Sequence, residues 1–306
     1  MHVAEVTAFG GPEVLRLAER PDPAPAPGEV VVRIRAANVN PTDLGTRSGQ
    51  ARARMPDLRP PFVPGWDLAG ELTAVGDDVT DFSPGDRVLG MIPFGRIGGR
   101  VGAYAQAAAV DPGWLAPLAD DVDHATAATL PLNALTARQA LDLIAAPPGA
   151  TLLITGASGG VGGFAVQLAA REGYRVLAQA SDDDEDWVAS LGATEVLPRS
   201  ADLASIGPVD AVLDGVPLGP ESTARLRDGG IAVFTRPPRP AEPERDLHFE
   251  TVLVQSNADQ LRALTADLEA GRLRTRIAEV LPLEQAARAH ELNEAGGLRG
   301  KVVLAP

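Results

Sequence analysis

Cysteine is absent from this chain of 306 residues. Its absence excludes disulfides, thiolate nucleophiles, iron–sulfur clusters and every zinc site that needs sulfur. The redox compartment stays open. Histidine is scarce as well, with only His2, His124, His248 and His290, far apart in sequence. Lysine occurs once, as Lys301, and arginine supplies the other formal basic charge. Positive charge is therefore short: 41 acidic residues stand against 27 basic ones, a formal net charge of −14. Such a chain repels nucleic acid and anionic membrane surfaces, so neither is expected as a partner. No apolar run approaches the roughly 18 residues of a membrane span. The opening MHVAEVTAFGG has no cationic stretch followed by an apolar one, and the cytoplasm is the expected location.

What remains is an ordinary globular composition. Apolar residues make up 45% of the chain and aromatics 4%. This excludes disorder, and the length suits two domains better than one.

The chain is organised around residues 151–180, TLLITGASGGVGGFAVQLAAREGYRVLAQA. The apolar run Leu152-Leu153-Ile154 enters a turn with Gly156, Gly159, Gly160 and Gly162. A helical pattern with Phe164 and Leu168 follows, and then a second apolar run, Val176-Leu177-Ala178. Strand, glycine turn, helix and strand form the unit that binds a dinucleotide. Glycines let the backbone approach a pyrophosphate, and the unbonded N–H groups of the first helical turn face its charge. The spacing is GxxGxxG instead of the commoner GxGxxG, so the surrounding pattern carries the assignment.

On either side the pattern differs. Residues 3–9 and 30–36 read as strands, joined through PDPAPAPG, a stiff connector. Residues 38–49, NVNPTDLGTRSG, read as a turn-rich stretch with Asn40, Thr42, Asp43 and Arg47. From Phe62 onward, short apolar runs alternate with glycines, as in a small barrel or sandwich, and residues 1–120 are expected to be all β. Asp123 starts a helical stretch, and a second helix covers 132–144. Further strands are expected at 195–198, 209–216, 230–235 and 249–255, with helices at 186–191, 202–206, 221–226 and 261–270. The proline-rich 236–248 reads as an exposed loop. Together these predict a parallel sheet wound in both directions. The tail, strand–helix–strand over 275–304, is too short for its own core and should pack on the first domain.

Taken together, these blocks resemble the zinc-free, quinone oxidoreductase-like branch of the medium-chain dehydrogenase/reductase superfamily. The likeness spans nearly the whole length. It is strongest in PFVPGWDLAGELTAVGDDVTDFSPGDRVLG (61–90), TLPLNALTARQAL (129–141), TGASGGVGGFAVQLA (155–169) and PLEQAARAHELNEAGGLRGKVVL (282–304). The resemblance implies a GroES-like substrate domain (1–120 and 269–306) completed by the C-terminal tail, and a Rossmann dinucleotide-binding domain (121–268). In zinc-dependent relatives the positions of Asn40, Trp66 and Asp67 hold a cysteine, a histidine and a glutamate. An amide, an indole and one carboxylate make no tetrahedral metal site, so no metal is expected. Without a Lewis acid, hydride transfer to a quinone or an α,β-unsaturated carbonyl fits better than alcohol oxidation.

The same resemblance assigns the site. Cofactor contacts are expected from Asn40, Thr136, Gly156, Ala157, Ser158, Gly159, Gly160, Val161, Gly162, Ala180, Ser181, Asp214, Phe234 and Lys301. Asn40, Asp43 and Arg47 are the candidates for positioning the substrate or its loop, with an Asp43–Arg47 ion pair as one arrangement. The second strand ends at Ala180-Ser181 with no ribose-binding acid at its tip. Ser181 suits NADPH, whereas the run Asp182 to Asp186 opposes a phosphate, so NADH competes. Gly45 stands where many quinone reductases of this type have a tyrosine. Trp66 is expected to fill the vacated metal region and Tyr104 to pack in the core. An enoyl reductase on a biosynthetic intermediate and a non-catalytic NADPH-binding structural or redox-sensing protein are the alternatives. A homodimer is expected, paired edge to edge through Phe249–Gln255.

Overall fold

The computed structural model describes residues 1–236 and 246–306. The proline-rich loop expected over 236–248 lies largely outside the described residues. The chain forms two compact units. One holds Met1–Leu132, Gln255–Arg272 and Arg276–Pro306; the other holds Asn133–Val254 and Leu273–Thr275. Residues 121–132 and 255–268 thus cluster with the first.

The first unit opens with a hairpin, β1 (His2–Val6) and β2 (Leu15–Glu19). Its main sheet is built from β3 (Val30–Asn38), β4 (Asp67–Val75), β5 (Arg87–Met91), β6 (Ala107–Val110) and β7 (Leu115–Pro117). Period-two alternation sets the face of β3: Val30, Val32 and Ile34 are buried, and Arg33 and Arg35 are exposed. Each of these apolar side chains contributes about 1.5–3 kcal/mol by leaving water.

Between β3 and β4 the expected turn-rich stretch is instead a helix, α1 (Pro41–Ser48). Asn40 is its extended N-cap, Pro41 supplies the preset first turn, and the Asp43 carboxylate accepts the Asn40 N–H at 2.8 Å. Gly49 ends it at φ +85°, the left-handed position that glycine adopts without strain. The residues read as turn formers are the caps of a short helix. A short helix, α2 (His124–Ala128), is capped by the Asp123 carboxylate, which accepts the Thr126 N–H.

The second unit follows α3 (Pro131–Ile144) with β8 (Thr151–Thr155), α4 (Gly160–Arg171), β9 (Arg175–Ala180), α5 (Glu185–Ser190) and β10 (Glu195–Pro198). Then come β11 (Val209–Asp214), β12 (Leu226–Phe234) and β13 (His248–Thr251). All six strands are parallel, in the order β10-β9-β8-β11-β12-β13. The winding reverses between β8 and β11, the switch point where such sheets bind ligands. Three expectations fail here. Residues 202–206 form turns, because Asp202 binds its own neighbours: its carboxylate accepts the Ala204 N–H, and its carbonyl accepts the Ser205 hydroxyl. Residues 221–226 hold no α-helix, since a short 3-10 turn (Gly219–Glu221) leads to β12. The last strand stops at Thr251, opposite Phe234 where β12 ends, and its last backbone bond runs from the Val252 N–H to the Phe234 carbonyl.

The chain then returns to the first unit through α6 (Ala258–Glu269), β14 (Ile277–Pro282), α7 (Ala286–Ala295) and β15 (Lys301–Ala305). Strand β15 joins the main sheet antiparallel to the end of β3, pairing Val303 with Asn38 and Leu304 with Ala37. Segments about 260 residues apart thereby become neighbours in one sheet.

Candidate functional site

In the second unit the glycine turn lies at the carboxyl end of β8. Gly156 takes φ +67°, and the Ala157 N–H bonds the Gln179 carbonyl of β9 at 2.9 Å. A Cβ on Gly162 would come within 2.3 Å of the Gly156 carbonyl oxygen, so only glycine lets the helix start this close to the turn. Gly159 is the exposed N-cap of α4, in extended conformation. The first helical backbone bond runs from Gly163 N–H to the Gly159 carbonyl, so the N–H groups of Gly160, Val161 and Gly162 precede the ladder. Backbone donors at the start of a 12-residue helix, with glycine approach on one side, fit a dinucleotide pyrophosphate.

The second strand's tip is tied to this turn. The Ser181 N–H donates to the Ser158 hydroxyl at 3.0 Å, and Arg199 Nη2 donates to the Ser181 hydroxyl at 2.8 Å. A hydroxyl and a guanidinium therefore sit together where an NAD enzyme would carry an acid. Of the following acidic run, Asp184 turns inward and is buried; Asp182, Asp183, Glu185 and Asp186 are exposed.

The remaining positions named for this unit separate. Ala180 is buried at the end of β9. Asp214 is spent internally: its carboxylate accepts the Thr155 hydroxyl at 2.6 Å and the N–H groups of Leu218 and Gly219. The Phe234 ring packs edge-on against Phe249 at 5.7 Å within the core, so only its backbone faces the strand ends. Thr136 is buried in α3.

In the first unit a polar cluster is buried where β3, α1, β4 and β15 meet. Asn38, Asn40, Asp43 and Asp67 are fully buried and Lys301 is half-buried. Asn40 is oriented without ambiguity: its Oδ1 accepts from Lys301 Nζ at 3.0 Å and Asn38 Nδ2 at 2.9 Å, and its Nδ2 donates to Asp67 Oδ2 at 2.8 Å. Asp67 Oδ2 also takes Asn38 Nδ2 at 3.0 Å, and Oδ1 takes the Leu132 N–H at 2.8 Å. Asp43 is less well served. Its Oδ2 holds the Asn40 N–H, but Oδ1 has no partner of normal geometry among the described residues.

The electrostatics follow from that burial. Desolvation pushes Asp43 up to about 8, a rise that the Asn40 N–H opposes and the charge of Asp67 assists. Desolvation raises Asp67 to about 6, against the pull of its amide donors and Lys301. Burial lowers Lys301 to about 8, although both carboxylates work to keep it charged.

Arg47 does not pair with Asp43, correcting that expectation. Although one turn away on α1, it points to the opposite side: its Nε donates to the Gly10 carbonyl at 3.1 Å, and its Nη2 forms an ion pair with Glu294 of α7. Nη1 contacts His290 Nδ1 at 3.3 Å, and His290 Nε2 contacts the Tyr104 hydroxyl at 3.1 Å. A guanidinium only donates, so Nδ1 accepts and the ring carries its proton on Nε2, donated to Tyr104. Burial and the adjacent guanidinium hold His290 neutral, with its pKa lowered to about 3. Arg47 is a brace for α1. Tyr104 is fully buried, as expected of a core residue, and precedes β6. Trp66 packs beside Phe94 with ring centres 6.1 Å apart.

None of this makes a metal site. The Asn40 oxygen and both Asp67 oxygens accept protein hydrogen bonds, and the neutral indole of Trp66 is no ligand. Among the described residues no group of three or more His, Asp or Glu gathers to hold a metal. No helix among them is long and apolar enough to cross a membrane.

Residues 26–120 match the alcohol dehydrogenase GroES-like domain, and residues 191–304 match the family described as zinc-binding dehydrogenase. The two units are thus a GroES-like β domain and a Rossmann-like parallel-sheet domain, and a dinucleotide turn within that pairing defines an NAD(P)H-dependent oxidoreductase. A chloroplastic quinone oxidoreductase, QR1, of Triphysaria versicolor is 32% identical over 97% of this chain and 95% of its own. The quinone oxidoreductase of Lama guanicoe is 33% identical, over 99% and 97% respectively. A solved quinone oxidoreductase from Coxiella burnetii aligns with a TM-score of 0.89 at 30% identity, covering 100% of this chain and 99% of that one. The chain belongs to the medium-chain dehydrogenase/reductase superfamily, in its zinc-independent, quinone oxidoreductase-like branch.

Sequence reading missed Asn38, His290 and Glu294. The one available signal for Asn38 was a polar residue ending the apolar run of β3. Nothing local marked the other two.

Proposed function

We propose that this enzyme reduces quinones or α,β-unsaturated carbonyls, with NADPH preferred over NADH. The bound dinucleotide supplies the hydride. The observation that supports the cofactor preference is the Arg199–Ser181 pair at the tip of β9, a donor set for a 2′-phosphate of about −2 charge. In this reading the N–H groups over 156–162 hold the pyrophosphate, with Ala157, Ser158 and Ala180 shaping the turn. The cluster of Asn40, Asp43 and Lys301 serves the acceptor side, with Lys301 as the contact to substrate. Arg47 positions the substrate helix indirectly, through α7. The absence of a metal donor set favours acceptors that need only hydrogen bonding as charge develops.

Loss of 340 nm absorbance on mixing protein, NADPH or NADH, and a panel of quinones and enones tests the reading. Turnover with one class of acceptor is expected, and none with any acceptor refutes it. Arg199→Ala should raise the KM for NADPH by about tenfold, corresponding to one charge-assisted hydrogen bond, and barely change that for NADH. A cytoplasmic homodimer completes the proposal. Its support is that β13 is an edge strand whose outer backbone has no neighbour in the sheet among the described residues. A monomeric mass in solution would remove the dimer.

A further inference from the structure

The buried cluster of the first unit contains two carboxyl groups and one amine. With all three ionised it would hold one uncompensated negative charge away from water, which is costly. One added proton removes that cost. Asp43 is the place for it. Asp67 is stabilised as a carboxylate by three well-formed donors, Asn38, Asn40 and the Leu132 N–H, whereas Asp43 has one, the Asn40 N–H, with only a weaker approach of the Gly65 N–H besides. The only amine of any side chain in the protein, Lys301, is joined to them through its bond to Asn40, feels the charge of both carboxyl groups, and is not fully buried.

We propose that this cluster is the proton donor of the reductase, storing a proton on Asp43 and delivering it through Lys301. The assignment rests on the reduction proposed above. Hydride reaching an enone or quinone carries two electrons and one proton and leaves negative charge on the acceptor's oxygen. An N–H bond of the Lys301 ammonium breaks and an O–H bond forms on the acceptor, giving an enol or a hydroquinone. The neutral amine is then recharged from the Asp43 carboxyl by way of a bridging water, and Asp43 regains a proton from solvent between turnovers. Electrons and protons balance with no further reagent.

The groups facing the cluster agree with this. Asp67 on β4 and Lys301 on β15 act on Asp43 in opposite directions. Tyr104 feels both carboxylates and is held well above its ordinary pKa by burial first and by their charge second, so it stays a phenol. Arg47 is committed to Glu294, and His290 is neutral. Asp43 and Lys301 are matched, both near 8, while the better-served Asp67 lies lower, near 6, so between the two carboxyl groups Asp43 keeps the proton at neutral pH.

Infrared difference spectroscopy of wild type against Asp43→Asn, at neutral pH in H2O and D2O, reads the stored proton without any turnover. A protonated-carboxyl C=O band that shifts in D2O and vanishes in the variant is expected; no such band overturns the proposal. In parallel, Asp43→Asn and Lys301→Met should lower enone turnover by roughly 100-fold or more. Dinucleotide affinity, measured by fluorescence, should stay within a few-fold and shows that the protein is folded. Lys301→Arg keeps the charge but does not release a proton at neutral pH, so it should remain as slow as Lys301→Met. Full rescue by arginine would make Lys301 a mere counterion and overturn its role as donor. A wild type inactive on every acceptor would refute the proposed reaction, leaving the infrared band to decide the stored proton.

Discussion

The two functional regions are built from opposite materials. The glycine turn of the second unit works with backbone: Gly156, Gly159 and Gly162 clear space, and N–H groups that every residue owns do the binding. The cluster of the first unit works with side chains, five of them from three strands, a helix cap and a helix, and its backbone contributes little besides Asn40 and Leu132 N–H. One region is partly exposed and set by local geometry; the other is buried and set by chain segments that meet only in the folded state. A backbone site should thus fail by crowding, and a side-chain cluster by losing partners.

Substitutions can separate the two. The largest effect is expected at Asp67→Ala, which strips acceptors from Asn38, Asn40 and Leu132 at once. Stability should drop by about 3–5 kcal/mol, measured by denaturant unfolding, because buried donors are left unpaired. A loss under about 1 kcal/mol would show that the cluster is not the structural node described. Next comes Gly162→Ala, whose methyl meets the Gly156 carbonyl at 2.3 Å. The strain of about 1–3 kcal/mol should appear mostly as weaker dinucleotide binding in a fluorescence titration. Unchanged affinity would contradict a binding turn this tightly packed.

A smaller, pH-dependent effect distinguishes the brace behind the cluster. His290 has a folded pKa near 3 and an ordinary unfolded one near 6.5, so the unfolded chain binds the extra proton in that window. Wild-type stability should fall as pH descends from about 6.5 toward 3, and His290→Gln should show a shallower fall in thermal unfolding. Parallel curves would mean that His290 is not held neutral. The smallest change is a gain. Gly45 lies inside α1, where an added Cβ meets nothing within 4 Å, so Gly45→Ala should stabilise by about 0.5–1 kcal/mol. The same methyl would report crowding of the acceptor side if turnover of bulky acceptors fell while small ones were spared.

How legible each region was follows the same division. The turn was readable because its glycines, its flanking apolar runs and its helix are contiguous over about thirty residues. The helix α1 carried a cap signature, Asn40-Pro41 with Asp43 and then Gly49, yet those residue types also favour turns, and eight residues leave too few periods to decide. The Asp43–Arg47 pair was expected as a clasp on a substrate loop. It lost to Gly10, His290 and Glu294, which local spacing cannot reveal.

Composition and pattern by themselves determined the two-domain α/β architecture, the dinucleotide turn and the want of metal ligands, because each depends on residue identity or on neighbours within a few turns. Only the tertiary structure decided that Lys301 reaches Asn40, that Asp67 rather than Asp43 receives most of the donors, and that Arg47 braces α7. Those partners lie up to 261 positions apart, and what joins them is the antiparallel seam of β15 on β3. The charge state of a buried cluster depends on which groups share it, and that is known only once the strands have met.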